Sequence, residues 1–185
     1  RPGERGGSGG ISPMQFGLFG GARTKRAVSG LEDSLGYASF IDYVVEADKL
    51  GFRHMFLVEH HFTGHGQVSA SMTLLAYLAA KTRHIRLGTA VVVLPWHNPI
   101  LIAEQAATLD LLTGGRFDFG IGKGYRQAEF DGFCIPIQEA SERFDEAITR
   151  FAAACADRVE RDHAALAEAV LDGRVEAQDD AAVTA

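Results

Sequence analysis

Two histidines and a carboxylate stand side by side at Glu59-His60-His61, after the apolar run His54-Met55-Phe56-Leu57-Val58 and before Phe62. A histidine titrates near neutral pH, so His60 can move a proton or hydrogen-bond a reacting group. Glu59 can accept hydrogen bonds from a buried polar ligand. Residues placed where a strand runs out into a loop occupy the part of an α/β fold that usually carries binding and catalysis. The plain alternative is a solvated loop holding two histidines and an acid. A metal site on His60, His61 and His65 is a third option. The sequence lacks the helical HExxH and the His-x-His of a strand that would support it, so no metal is expected.

Two further stretches carry candidate side chains. Leu94-Pro95-Trp96-His97-Asn98-Pro99 brings an aromatic residue and a histidine to the end of another strand pattern. Trp96, with His61, is a candidate wall of a substrate pocket; a lone Trp is otherwise packing. Gly120-x-Gly122-x-Gly124 follows a third strand pattern. It is not G-x-G-x-x-G, and no clear helix begins at its end, so it is a weak dinucleotide fingerprint. A backbone passing close to a planar ligand or a neighbouring loop explains it better. Lys123 and Arg126 can meet an anion there, or be solvated charges.

The elements that must position these residues alternate. Gln15–Phe19 reads as a strand ended by Gly20-Gly21, and residues 22–36 as a long loop. A helix is expected over 38–50, with Phe40, Ile41, Val44, Val45 and Ala47 on one stripe and Gly51 as its stop. The strand His54–Val58 follows. Ser69 or Ser71 can cap a helix running to about Thr82. Ile85–Val93 reads as one long strand buried on both faces. Pro99 opens a helix to about Leu112 that Gly114-Gly115 ends. Phe117–Ile121 is a fourth strand. Strand starts near 15, 54, 85 and 117 give the spacing of βα units and predict a parallel sheet. Four units are half of an eight-unit (β/α) barrel, which typically takes about 250 residues.

From Glu139 the pattern is helical. Phe144, Ile148, Phe151, Cys155 and Val159 share a face, Leu166 and Val170 continue it, and Gly173 breaks it. No fifth strand is expected. The expected organisation is therefore a leader over 1–13 (flexible or an expression remnant), a half-barrel domain over 14–151, and an Ala-rich acidic helical tail over 152–185. The tail has eight acidic residues against three Arg and holds five of the six net negative charges of the 185-residue chain. Residues 174–185 read as frayed.

A net charge of −6 argues against a general nucleic-acid surface. The apolar runs are too short for a membrane span, and no signal peptide is expected. Cys134 and Cys155 have neither metal-ligand nor redox spacing, which suits free thiols in a reducing cytoplasm.

Taken together, the stretches resemble the luciferase-like flavin monooxygenase family, which includes bacterial luciferase. The matching residues are Met14-Gln15-Phe16-Gly17, Gly51-Phe52 leading into Leu57-Val58-Glu59-His60-His61-Phe62, and Leu87 to Pro95 with His97 and Pro99. Leu109-Asp110, Thr113-Gly114-Gly115-Arg116-Phe117 into Gly120–Gly124, and Glu142-Arg143-Phe144-Asp145-Glu146 complete the set. The match runs over about residues 14–150.

The resemblance implies a (β/α) barrel that binds FMN at the carboxyl ends of its strands. Reduced FMN, delivered by a separate flavin reductase, would react with O2 to oxygenate an aldehyde or similar small substrate. His60 falls on the family's catalytic histidine and Glu59 on its flavin-contacting acid. A non-prolyl cis peptide would fall at Ala90-Val91 beneath the flavin, with Gly122 and Lys123 also at the cofactor. Gly122 stands where bacterial luciferase has its reactive cysteine. A deazaflavin-dependent oxidoreductase is the near alternative. Family members are nearly twice this length. The chain is thus a shortened version, a half-barrel completed by self-association, or a short homologue that keeps binding without catalysis.

Overall fold

The structure, a computed structural model, describes residues 14–22, 30–62 and 68–152, together with 168 and 172. Its centre is a parallel sheet of four short strands: β1 (Gly17–Gly20), β2 (His54–Leu57), β3 (Arg86–Thr89) and, after a further strand, β5 (Phe117–Asp118). They lie in the order β1-β2-β3-β5, with Gly20, Leu57 and Thr89 in one row. A two-residue strand β4 (Val92–Val93) leaves this sheet and pairs in parallel with β6 (Ile121–Gly122). Among the described residues no strand follows β6, and the sheet is open rather than closed into a barrel.

Helices α1 (Gly30–Lys49), α2 (Ser71–Lys81) and α3 (Pro99–Thr113) cover one face of the main sheet. The alternation of side chains along each strand sorts the two faces. Met55, Leu57, Leu87 and Phe117 pack with Val44, Leu75, Leu78 and Leu109 from the helices into one buried cluster. The opposite face carries Phe19, Phe56, Gly88 and the Arg86–Asp118 pair, in which Nε and Nη2 of Arg86 donate to the two carboxylate oxygens at 3.0 and 2.6 Å. No described helix covers that face, and Phe19 is 70% exposed.

Several expected elements differ in extent. α1 begins at Gly30, well before its apolar stripe, because polar first turns leave no periodic signal. Neither Ser69 nor Ser71 caps α2. Ala70 holds the cap position, and Ser71 is the first helical residue and buried. α3 follows the expected signals, with Pro99 opening the helix and Gly114 closing it at φ 64°; its cap, Asn98, whose Oδ1 accepts from the amides of Ile100 and Leu101, is not among them. A short helix α4 (Gln127–Gly132) stands where the sequence shows no clear helix. The chain is helical again over 140–152, hereafter α5. Ala140 and Ala147 are its buried residues, while Ile148 and Phe151 are exposed. Cys155, Val159, Leu166, Val170, Gly173 and the leader over 1–13 lie outside the described residues.

The main correction concerns the two long strand patterns. Ile85–Val93 and Phe117–Ile121 are each broken, and the breaks meet. Thr89 Oγ1 donates to Gly120 O at 2.7 Å and accepts from Gly120 N at 2.9 Å. Val92 N donates to the same carbonyl at 2.9 Å. A Cβ on Gly120 would stand 2.0 Å from the Thr89 carbonyl oxygen, so only glycine fits. Hydrophobic patterning reports burial on both sides of this junction and is blind to the change of sheet.

Asp48, near the end of α1, ties the helix layer to β3. Its carboxylate accepts from the amides of Arg83, His84 and Ile85 at 2.6–2.8 Å. Burial pushes its pKa up, but the three amide hydrogen bonds and the charge of His84 outweigh that and hold it below the usual value. Asp48→Ala strands these donors. Urea unfolding is expected to show a loss of about 2–4 kcal/mol, given about 1–3 kcal/mol per unsatisfied buried group. A change under about 0.5 kcal/mol, the size of an ordinary surface substitution, would rule out the clamp.

Candidate functional site

β2 ends at Leu57, and its exit is held by the Val58 amide donating to Gly20 O at 3.0 Å and by the Ala90 amide donating to Leu57 O at 2.7 Å. Glu59, two residues beyond the strand, turns inward and is only 4% exposed. Its Oε1 accepts from Nε2 of His61 and from Nε2 of His97, each at 2.8 Å. Its Oε2 accepts from the amide of Val93 in β4 at 3.2 Å. One carboxylate therefore joins the loop after β2, the strand β4 and the turn before α3. Burial pushes the Glu59 pKa up, while the hydrogen bonds and charges of His61 and His97 pull it down and prevail.

A second buried carboxylate reaches the same loop from α4. Glu129 Oε1 lies 3.0 Å from Nδ1 of His60 and accepts from the His61 amide at 3.0 Å. The His60 amide donates to Val68 O at 3.0 Å, so the loop is held from both sides. The His61 ring meets Trp96 and Phe133 edge-on, at centroid distances of 5.3 and 4.7 Å. Trp96 stacks on Phe133 and abuts Phe130. Such contacts fix ring orientation.

The structure brings together Glu59, His60, His61 and Trp96, with His97 among them. The Ala90-Val91 peptide is cis, as the resemblance implies, and lies at the carboxyl end of β3. Gly122 packs so close to Val91 that a Cβ would stand 2.5 Å from a methyl of that side chain. Lys123 is not brought to the cluster: it is exposed, with Nζ 3.4 Å from Ser141 Oγ on α5. Glu59 is committed to the protein's own donors, and its side chain is 1% exposed, so it acts as a support beneath the loop. His65 lies outside the described residues, and no group of three or more potential metal ligands occurs among those described. No described helix is long and apolar enough to cross a membrane.

Sequence reading missed Glu129. The available signal was an acid followed by Phe130 just past the glycine-rich turn; α4, which buries both, was not expected. Two donors at the site, Trp96 Nε1 and Arg126 Nε, are buried with no acceptor among the described residues. Buried donors normally have one, so a polar ligand group would satisfy them.

The family model for luciferase-like monooxygenases matches residues 14–174. The chain belongs to that family. Among its relatives is the alkanal monooxygenase beta chain of Photorhabdus laumondii, 31% identical over 133 residues, which are 72% of this chain and 40% of the relative. Of the solved structures, the monooxygenase RslO1 from Streptomyces bottropensis superposes with a TM-score of 0.67 at 33% identity, covering 75% of this chain and 42% of that one. The oxygenating constituent of 3,6-diketocamphane monooxygenase from Pseudomonas putida, solved in complex with FMN, shares the fold. Its TM-score is 0.68 at 21% identity, covering 75% of this chain and 38% of that one. The chain thus spans less than half the length of these relatives.

The lowered pKa of Glu59 sets a pH dependence. Its stabilising effect is complete above the unfolded-state value of about 4.3 and is lost as pH falls through the lower folded value. Glu59→Gln is expected to cost about 1–3 kcal/mol at pH 7. A melting series from pH 7 to pH 3 should show the gap to wild type closing in acid. A gap that widens in acid contradicts the assignment.

Proposed function

We propose that this chain carries the flavin side of a monooxygenase site, using reduced FMN and O2 to oxygenate a small organic substrate such as an aldehyde. Family membership supports the reaction class. The observation that carries the reading locally is the convergence of His60, the Ala90-Val91 segment and an aromatic wall on one sheet edge. The residues fit a flat ring with polar edges. Phe19, Phe56, Ala90 and Val91 are uncharged and partly exposed, and Trp96 and Arg126 hold unpartnered buried donors nearby. Bound reduced FMN would supply the electrons that activate O2.

In this reading Ala90, Val91 and Gly122 hold the ring, and His60 holds or moves a proton beside it. His61, Trp96 and Phe133 bound the substrate space. Glu59 keeps the histidines in place. A separate flavin reductase is the proposed source of reduced FMN, and deazaflavin is the alternative cofactor.

The test is a titration of the purified chain with oxidised and reduced FMN, followed by flavin fluorescence. A chain that produces no change contradicts the flavin reading. In turnover with reduced FMN, His60→Ala is expected to lose at least about tenfold in rate, at or below the usual scale for a general acid–base. An unchanged rate removes His60 from the chemistry. Running the same assay with reduced deazaflavin decides between the cofactors.

The open sheet face favours a second reading, a non-catalytic half-barrel that binds flavin or associates with a second copy. Phe19 is 70% exposed there, and an unpaired edge and an apolar face are both suited to association. Light scattering is then expected to give a dimer or larger. A monomer that binds flavin and turns over contradicts this reading.

A further inference from the structure

We propose that Glu129 is the positioning residue for His60, fixing which of its ring nitrogens carries the proton. The catalytic meaning rests on the reading of His60 given above; the structural content rests on hydrogen bonds alone.

Glu129 Oε1 accepts from the backbone amide of His61, which can only donate. The same oxygen lies 3.0 Å from Nδ1 of His60, so that nitrogen is the one bearing hydrogen. The neutral ring then holds its lone pair on Nε2, the atom that can accept a proton. Once it does, the imidazolium sits against a carboxylate whose side chain is 3% exposed, where water screens the pair little. Glu129 therefore sets the orientation and the tautomer of the ring.

The neighbouring histidines are used the other way round. His61 and His97 both spend Nε2 on Glu59. Two buried carboxylates thus sort these rings into two tautomers, His61 and His97 donating from Nε2 and His60 from Nδ1. Among the described residues, the titratable groups that share this cluster with His60 are Glu59 and His61 on its own loop, His97 from the turn before α3, and Glu129 from α4.

Glu129 is itself firmly seated. The next residue, Phe130, is completely buried, and its ring abuts Trp96. The Phe133 amide donates to Glu129 O at 3.2 Å, closing the end of α4.

Long-range proton–nitrogen NMR of the histidine rings tests the proposal without any cofactor. Wild type is expected to show His60 protonated on Nδ1 when neutral. Glu129→Ala is expected to move the proton to Nε2, the form an imidazole side chain favours in water. The isosteric Glu129→Gln retains an acceptor at the same place and is expected to keep the proton on Nδ1. Wild-type His60 protonated on Nε2, a tautomer unchanged in Glu129→Ala, or one that moves to Nε2 in Glu129→Gln overturns the positioning role.

Turnover with reduced FMN then tests the coupling. Glu129→Ala is expected to lose about tenfold in rate, to regain part of it as Glu129→Gln, and to lose nothing further in a His60→Ala background. Additive losses in the double variant overturn a role through His60. Wild-type turnover by His60→Ala itself overturns the reading of His60, and with it the catalytic half of the proposal. The NMR result decides the positioning half independently.

Discussion

The arrangement of the strand ends depends on one buried carboxylate. Glu59 gathers His61, His97 and the Val93 amide, groups from three separate segments, onto two oxygens. Burying a charge is costly unless it is hydrogen-bonded on all sides. The chain meets that condition by sending two histidines and a strand amide to it. The cost of leaving any of them out fixes how the loop after β2, the short strand β4 and the turn before α3 sit together. His60, next in the chain, takes its place from this arrangement together with its own bonds to Glu129 and Val68.

The junction at Thr89 and Gly120 serves the same end. A hydroxyl that both donates and accepts lets two strands break at one level without leaving backbone groups unsatisfied. β4 and β6 then pair apart from the main sheet, bringing Val93 within reach of Glu59 and Gly122 against Val91. Glycine at 120 and 122 is required by close approach of other groups. The spacing first noticed as a glycine-rich turn is therefore a packing requirement of two strands crossing near a site.

Much of this was legible in the residues. The βα alternation, the parallel sheet, the start and stop of α3 and the gathering of Glu59, His60, His61 and Trp96 follow from apolar periodicity and stop signals. The cis peptide at Ala90-Val91 came from family likeness; no local pattern marks it. What escaped was contact between distant segments. Strand breaks do not register in a run of buried β-branched residues. Glu129 sits in a six-residue helix too short to show periodicity. Glu59 reads as a ligand-facing acid until its donors are known, and those lie up to 38 residues away. A pattern of residue types shows which groups need partners; only the fold says which partners they find.

The hydrogen bond between His60 and Glu129 spans 69 residues. A chain emerging from the ribosome presents the histidine long before the acid that faces it. Domains form from their amino-terminal end during synthesis, and contacts of wide separation close late. The loop after β2 can fold onto Glu59 once β4 and the Trp96 turn have appeared. The ring of His60 acquires its partner only after β6 and α4 have docked. The order of assembly thus separates frame from detail: the strand ends form first, and the ring of His60 is oriented by α4, which arrives after them.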